Sequence, residues 1–74
     1  LSTAQRARDV IAKLYAAYDQ KPDLMNAGWA EQLPEQEPAR GRHIADFIAG
    51  MTDSYAMGQY RQIFGETPEG LRNV

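Results

Sequence analysis

The chain has 74 residues, a formal net charge of −2, 43% hydrophobic residues, no cysteine and one histidine. These figures exclude a disulfide framework, a thiolate metal site and a multi-histidine cage, and a domain this small buries only about 60% of its unfolded surface. A pI near 5.2 argues against a free-standing nucleic-acid binder, and without a long apolar stretch or secretory pattern the expectation is a cytoplasmic protein with no membrane partner.

The first expected element is a helix from about residue 2 to 19. The Ser2 hydroxyl can satisfy first-turn N–H groups that have no intrahelical acceptor. Val10, Ile11, Leu14 and Tyr18 recur at helical steps along one face, with Ala7 extending it. Asp9 and Lys13 stand four residues apart with the acid first, the favourable order for an ion pair on a helix surface. Tyr15 and Tyr18 are expected to pack their rings while their hydroxyls reach solvent or a partner.

A linker over 20–37 follows. Pro22 lacks an N–H and disfavours helix at Lys21. Leu24, Met25, Trp29 and Leu33 suggest a short helical turn or loop folding back on the first helix. Pro34 to Pro38 reads as a stiff, polar and exposed boundary.

A second long helix is expected over about 38–64, with Pro38 in a first-turn position and Gly65 ending it in a left-handed turn. Ile44, Phe47, Ile48, Met51 and Tyr55 form an apolar stripe, and Met57, Tyr60, Ile63 and Phe64 carry apolar contacts further round. Gly50 and Gly58 each weaken a helix interior by about 1 kcal/mol relative to alanine. Close approach of another backbone is the expected reason, and Ala45, Ala49 and Ala56 keep the same helix slim. The tail over 65–74, with Pro68 and Gly70, reads as irregular.

The expected fold is all-α: an antiparallel helical hairpin with a short linker helix or turn, as a fragment of a larger helical protein. Two such helices bury one stripe each and enclose no core. Tyr15, Trp29, Met57 and Tyr60 fall outside the mutual seam, which implies more surface to cover and a homo-oligomer or parent domain to cover it. The chain begins at Leu1, which suggests trimming or cleavage.

Thr52, Asp53 and Ser54 are mediocre helix formers that tend to bond backbone groups, so their place within the second helix is a local inconsistency. Inconsistencies of this kind often sit at functional sites.

The run Asp46-Phe47-Ile48-Ala49-Gly50-Met51-Thr52-Asp53-Ser54-Tyr55-Ala56, with Arg42-His43-Ile44-Ala45 before it and Tyr60-Arg61-Gln62-Ile63-Phe64 after it, carries a family resemblance. It resembles the C-terminal region of bacterial deoxyguanosinetriphosphate triphosphohydrolase-like proteins. These HD-domain phosphohydrolases convert a deoxynucleoside triphosphate to the nucleoside and inorganic triphosphate. The resemblance implies that residues 1–74 form the C-terminal helical segment of such a hydrolase. The catalytic metal centre, a divalent ion such as Mg or Mn held by histidines and aspartates, would lie far N-terminal to this region, and no catalytic residue or metal ligand would belong to this chain.

Asp53 and Tyr55 would then bind substrate or shape the nucleotide pocket; alternatively Asp53 pairs with an arginine of the missing domain and Tyr55 is a core aromatic. Arg42, with Arg40, could reach triphosphate oxygens through a planar guanidinium, or pair with Glu35, Glu37 or Asp46. The family more often carries a basic residue where this chain has Ser54, so any role of that base is in doubt here. His43 reads as a surface or interface residue whose N–H Asp46 could accept. An isolated fragment would be inactive. The alternative reading is a small, non-enzymatic, all-helical dimerisation module.

Overall fold

The structure, a computed structural model, describes residues 2–65; apart from Gly65, the tail expected over 65–74 lies outside the described residues. It is all-α, with α1 (Thr3–Gln20), a 3-10 turn (Pro22–Leu24), α2 (Ala27–Glu31), α3 (Ala39–Ala49) and α4 (Asp53–Phe64). Among the described residues no helix is long and apolar enough to cross a membrane.

Ser2 starts α1 as expected. Its hydroxyl accepts from the Gln5 N–H while the Gln5 side chain accepts from the Ser2 N–H, so two orphan donors are satisfied reciprocally. The linker is ordered by local bonds. Pro22 opens the 3-10 turn, and Asn26 caps α2 by accepting from the Trp29 N–H. Residues 35–38 are exposed.

Where one helix was expected over 38–64, the chain forms two. Gly50 ends α3 with its N–H on the Asp46 carbonyl, and Thr52 adopts an extended backbone. The Thr52 hydroxyl accepts from the Tyr55 N–H at 3.1 Å, and Asp53 stands in the first turn of α4, where the helix dipole favours an acid. Thr52-Asp53-Ser54 is therefore a helix start, and the inconsistency disappears. Gly65, with φ of +78°, closes α4 in the left-handed conformation that glycine adopts freely.

The reason for the break lies in packing. Val10, Leu14 and Tyr18 of α1, Met25 just after the 3-10 turn, Ile44 and Phe47 of α3, and Tyr60 of α4 form one buried cluster. In a straight helix Tyr60 would stand about 24 Å along the axis from Ile44, too far to share that cluster. Reversal at 50–52 brings it back. Arg40, at the start of α3, bonds Asp19, and Gln59, midway along α4, accepts from the Tyr18 hydroxyl at 2.9 Å. Both partners lie in the last turn of α1. The three helices thus enclose the core that two rods could not.

Several side chains differ from expectation for this reason. Tyr60, expected outside the seam, is buried, and Tyr55, expected on the apolar stripe, is exposed. Arg40 pairs with Asp19 at 2.8 Å, and its Nη2 donates to the Asp19 carbonyl at 2.7 Å, capping the end of α1. A methyl at Gly41 would sit 2.6 Å from the Tyr15 hydroxyl, so it is there that glycine permits a close approach of α1 and α3.

The Tyr18 ring meets Phe47 edge-on, with centroids 5.2 Å apart. Burial, with a smaller contribution from Tyr55, pushes the Tyr18 phenol up to about 12. Lys13 is held above the ordinary lysine range, first by its hydrogen bond to Asp9 and then by that to Tyr60.

Two outcomes are expected. Thr52→Ala should weaken α4 by about 1 kcal/mol and speed amide exchange in its first turn, with Thr52→Ser near wild type. Because the folded Tyr18 pKa lies above its unfolded value of 10.0, its contribution is complete below pH 10 and lost as pH rises towards 12. That loss amounts to roughly 2–3 kcal/mol. Denaturant titrations at rising pH should show a shallower alkaline decline for Tyr18→Phe than for wild type.

Candidate functional site

An open groove of about 1180 Å³ has walls from α1, α3 and α4. Its walls are small or apolar: Ala7 and Ile11 on α1, Ala45 and Ala49 on α3, Met57 and Gly58 on α4. Asp53 and Arg61 supply opposite charges along the α4 wall. Ile11 is 50% exposed here, an unusual setting for the middle of an apolar helix face.

The break at 50–52 creates this groove by turning α4 back onto α1, with α3 supplying a further wall. It also separates the residues proposed from sequence. Asp53 lines the groove, whereas Arg42 and Tyr55 do not. Tyr55 lies two residues beyond Asp53, about 200° round α4, on the side from which it influences the Tyr18 phenol. Arg42, Asp53 and Tyr55 are all exposed, and among the described residues none makes an ion pair.

The described residues do not fit a divalent metal. No three His, Asp or Glu side chains among them converge closely enough to hold an ion. His43 is turned to structural use: its Nε2–H donates to the Trp29 carbonyl at 2.8 Å, and its ring lies 4.8 Å from that of Trp29. Trp29 in turn packs against Phe47, so His43 fastens α2 to α3. Asp46, the partner expected for its N–H, is not the acceptor.

No polar or charged side chain is buried among the described residues. What this face offers is an apolar, small-residue surface with one charge of each sign. Sequence reasoning picked out Ala45, Ala49 and Gly58 as signs of close approach but did not place Ala7 and Ile11 beside them. A helix stop at Gly50 followed at once by a Thr-Asp helix start was the signal for the reversal.

A family model described as the phosphohydrolase-associated domain matches residues 1–62. A deoxyguanosinetriphosphate triphosphohydrolase-like protein of Rhizobium meliloti is 40% identical over 67 residues, covering 88% of this chain and 16% of the relative. Its namesake in Azorhizobium caulinodans is 44% identical over 64 residues (85% and 16%), and that in Bartonella tribocorum 39% over 70 residues (90% and 17%). The chain thus spans about 16% of the length of such relatives. No solved structure gives a significant match. Across α1, α2, α3 and most of α4, this chain belongs to the phosphohydrolase-associated domain family.

Proposed function

We propose that residues 1–74 are the C-terminal helical segment of a metal-dependent deoxynucleoside triphosphate triphosphohydrolase. The parent would convert a deoxynucleoside triphosphate and water to the deoxynucleoside and triphosphate. The observation that carries this reading is the similarity over at least 85% of the chain to proteins named for that activity, together with the phosphohydrolase-associated family match. The divalent metal centre would belong to the remaining length of a cytoplasmic parent that works as a homo-oligomer.

In this reading the chain supports the catalytic portion. Asp53 is the best placed of the three candidates, because it stands at the capped start of α4 on the groove wall. It would hold a wall of the nucleotide pocket by pairing with a cation of the catalytic portion. Arg42 and Tyr55, on other faces, would meet substrate only if the parent wraps round this segment. The alternative, a non-enzymatic dimerisation module, would be favoured by a parent that self-associates without any turnover.

The test is triphosphate release from deoxyguanosine triphosphate, with Mg or Mn supplied. The parent polypeptide should release triphosphate and deoxynucleoside, and the 74-residue chain alone should release neither. Turnover by the chain alone would overturn the reading. Asp53→Asn in the parent should lower kcat/KM by about tenfold, the loss of roughly 1.4 kcal/mol of transition-state stabilisation. A value within about twofold of wild type would confine Asp53 to helix-end support.

A further inference from the structure

The groove calls for a convex occupant. Its concavity exceeds the roughly 300–1,000 Å³ typical of small-ligand pockets, and it is only partly enclosed. A second copy would present the same hollow face, and two hollow faces leave a void between them. The back of an amphipathic helix has the complementary shape, seated between α1, α3 and α4 as a ridge in a groove.

Gly58 supplies independent support. It lies in the interior of α4, where glycine weakens a helix, and no described residue lies within 4 Å of the position a Cβ would occupy. Positive φ does not explain it, because Gly65 is the only glycine with that geometry among the described residues. The contacts among the described residues therefore give no use for Gly58. A backbone arriving from outside does, and the half-exposed Ile11 across the groove gives that backbone an apolar contact.

The charges give the occupant a direction. Asp53 and Arg61 are eight residues apart on α4, about 12 Å along its axis and on a similar side. Both line the groove, and among the described residues neither makes an ion pair. Relatives similar to this chain are about six times its length, since the chain covers only 16% of them, so abundant further polypeptide accompanies this segment there.

We infer that the groove seats one helix of the phosphohydrolase portion of the same polypeptide. That helix presents small and apolar side chains, with a cation toward Asp53 and an anion toward Arg61. The inference rests on the reading of this chain as a segment of a longer hydrolase, and it names the face by which the segment is held.

The chain has no cysteine, so single thiols can be placed at will. Ile11→Cys and Ala49→Cys, on opposite walls, are each introduced into a cysteine-free parent, and maleimide labelling is timed in buffer and in urea. Ala49 is small and exposed, so its variant guards against a folding defect in the other. Both thiols should label at least about tenfold slower in the folded parent than in urea, to the same degree at low and high protein concentration. Equal rates in buffer and urea would overturn the inference. Protection that vanishes on dilution would overturn it too, by assigning the groove to a second copy. The labelling is blind to the reaction catalysed: a parent that shields both thiols but releases no triphosphate would remove the functional reading and leave the seated helix standing.

Discussion

Burial of Tyr60 beside Leu14, Tyr18 and Ile44 is the constraint on which the rest of the molecule depends. A chain this short has few large apolar groups, and full burial of one contributes roughly 1.5–3 kcal/mol. Leaving Tyr60 at the far end of a straight helix would forfeit that contribution, together with the Tyr18 hydrogen bond to Gln59. Interrupting the helix at Gly50 sacrifices a few backbone bonds, and the Thr52 hydroxyl and the Met51 N–H, which donates to the Ile48 carbonyl, recover part of that loss. Packing drives the reversal; the cap, worth about 1 kcal/mol, decides where it falls.

Much of the fold was legible residue by residue. Ser2, the Val10–Leu14–Tyr18 face and the left-handed Gly65 each follow from local chemistry, and each is found where that chemistry puts it. The break was concealed because Ile44, Phe47, Ile48, Met51 and Tyr55 keep helical spacing straight across it. Periodicity registers spacing and not direction, so Tyr55 was assigned to the buried stripe although it is 45% exposed. The Tyr18 hydroxyl was expected to reach outward for a related reason. Its acceptor, Gln59, is 41 residues away and comes within reach only after the chain turns back. His43 likewise finds a backbone carbonyl of α2, an acceptor to which sequence spacing gives no clue.

The candidate site was legible in parts. Asp53 stands out in the sequence, and the structure gives it a place on the groove wall at a capped helix start. Tyr55 was grouped with it as part of the 52–55 run and Arg42 for the fit of a guanidinium to phosphate, but α4 carries Tyr55 to another side and α3 holds Arg42 outside the groove. The surplus of apolar and small residues divides between the core, the groove and other exposed positions such as Tyr55 and Phe64. Part of it, notably Tyr60 and Trp29, belongs to the internal packing, and another part, centred on Ile11, Ala49 and Gly58, lines the groove. A phosphohydrolase-associated family is a natural home for such a segment, whose unmet surface is as informative as its core.

The reversal at Gly50–Thr52 is most directly tested by a distance. Spin labels on Arg42→Cys and Gln62→Cys, measured by pulsed electron resonance, should lie within about 20 Å of each other, because both helix ends return to the last turns of α1. A separation near 30 Å, the span of twenty residues in an unbroken helix, would contradict the fold-back and with it the groove built upon it.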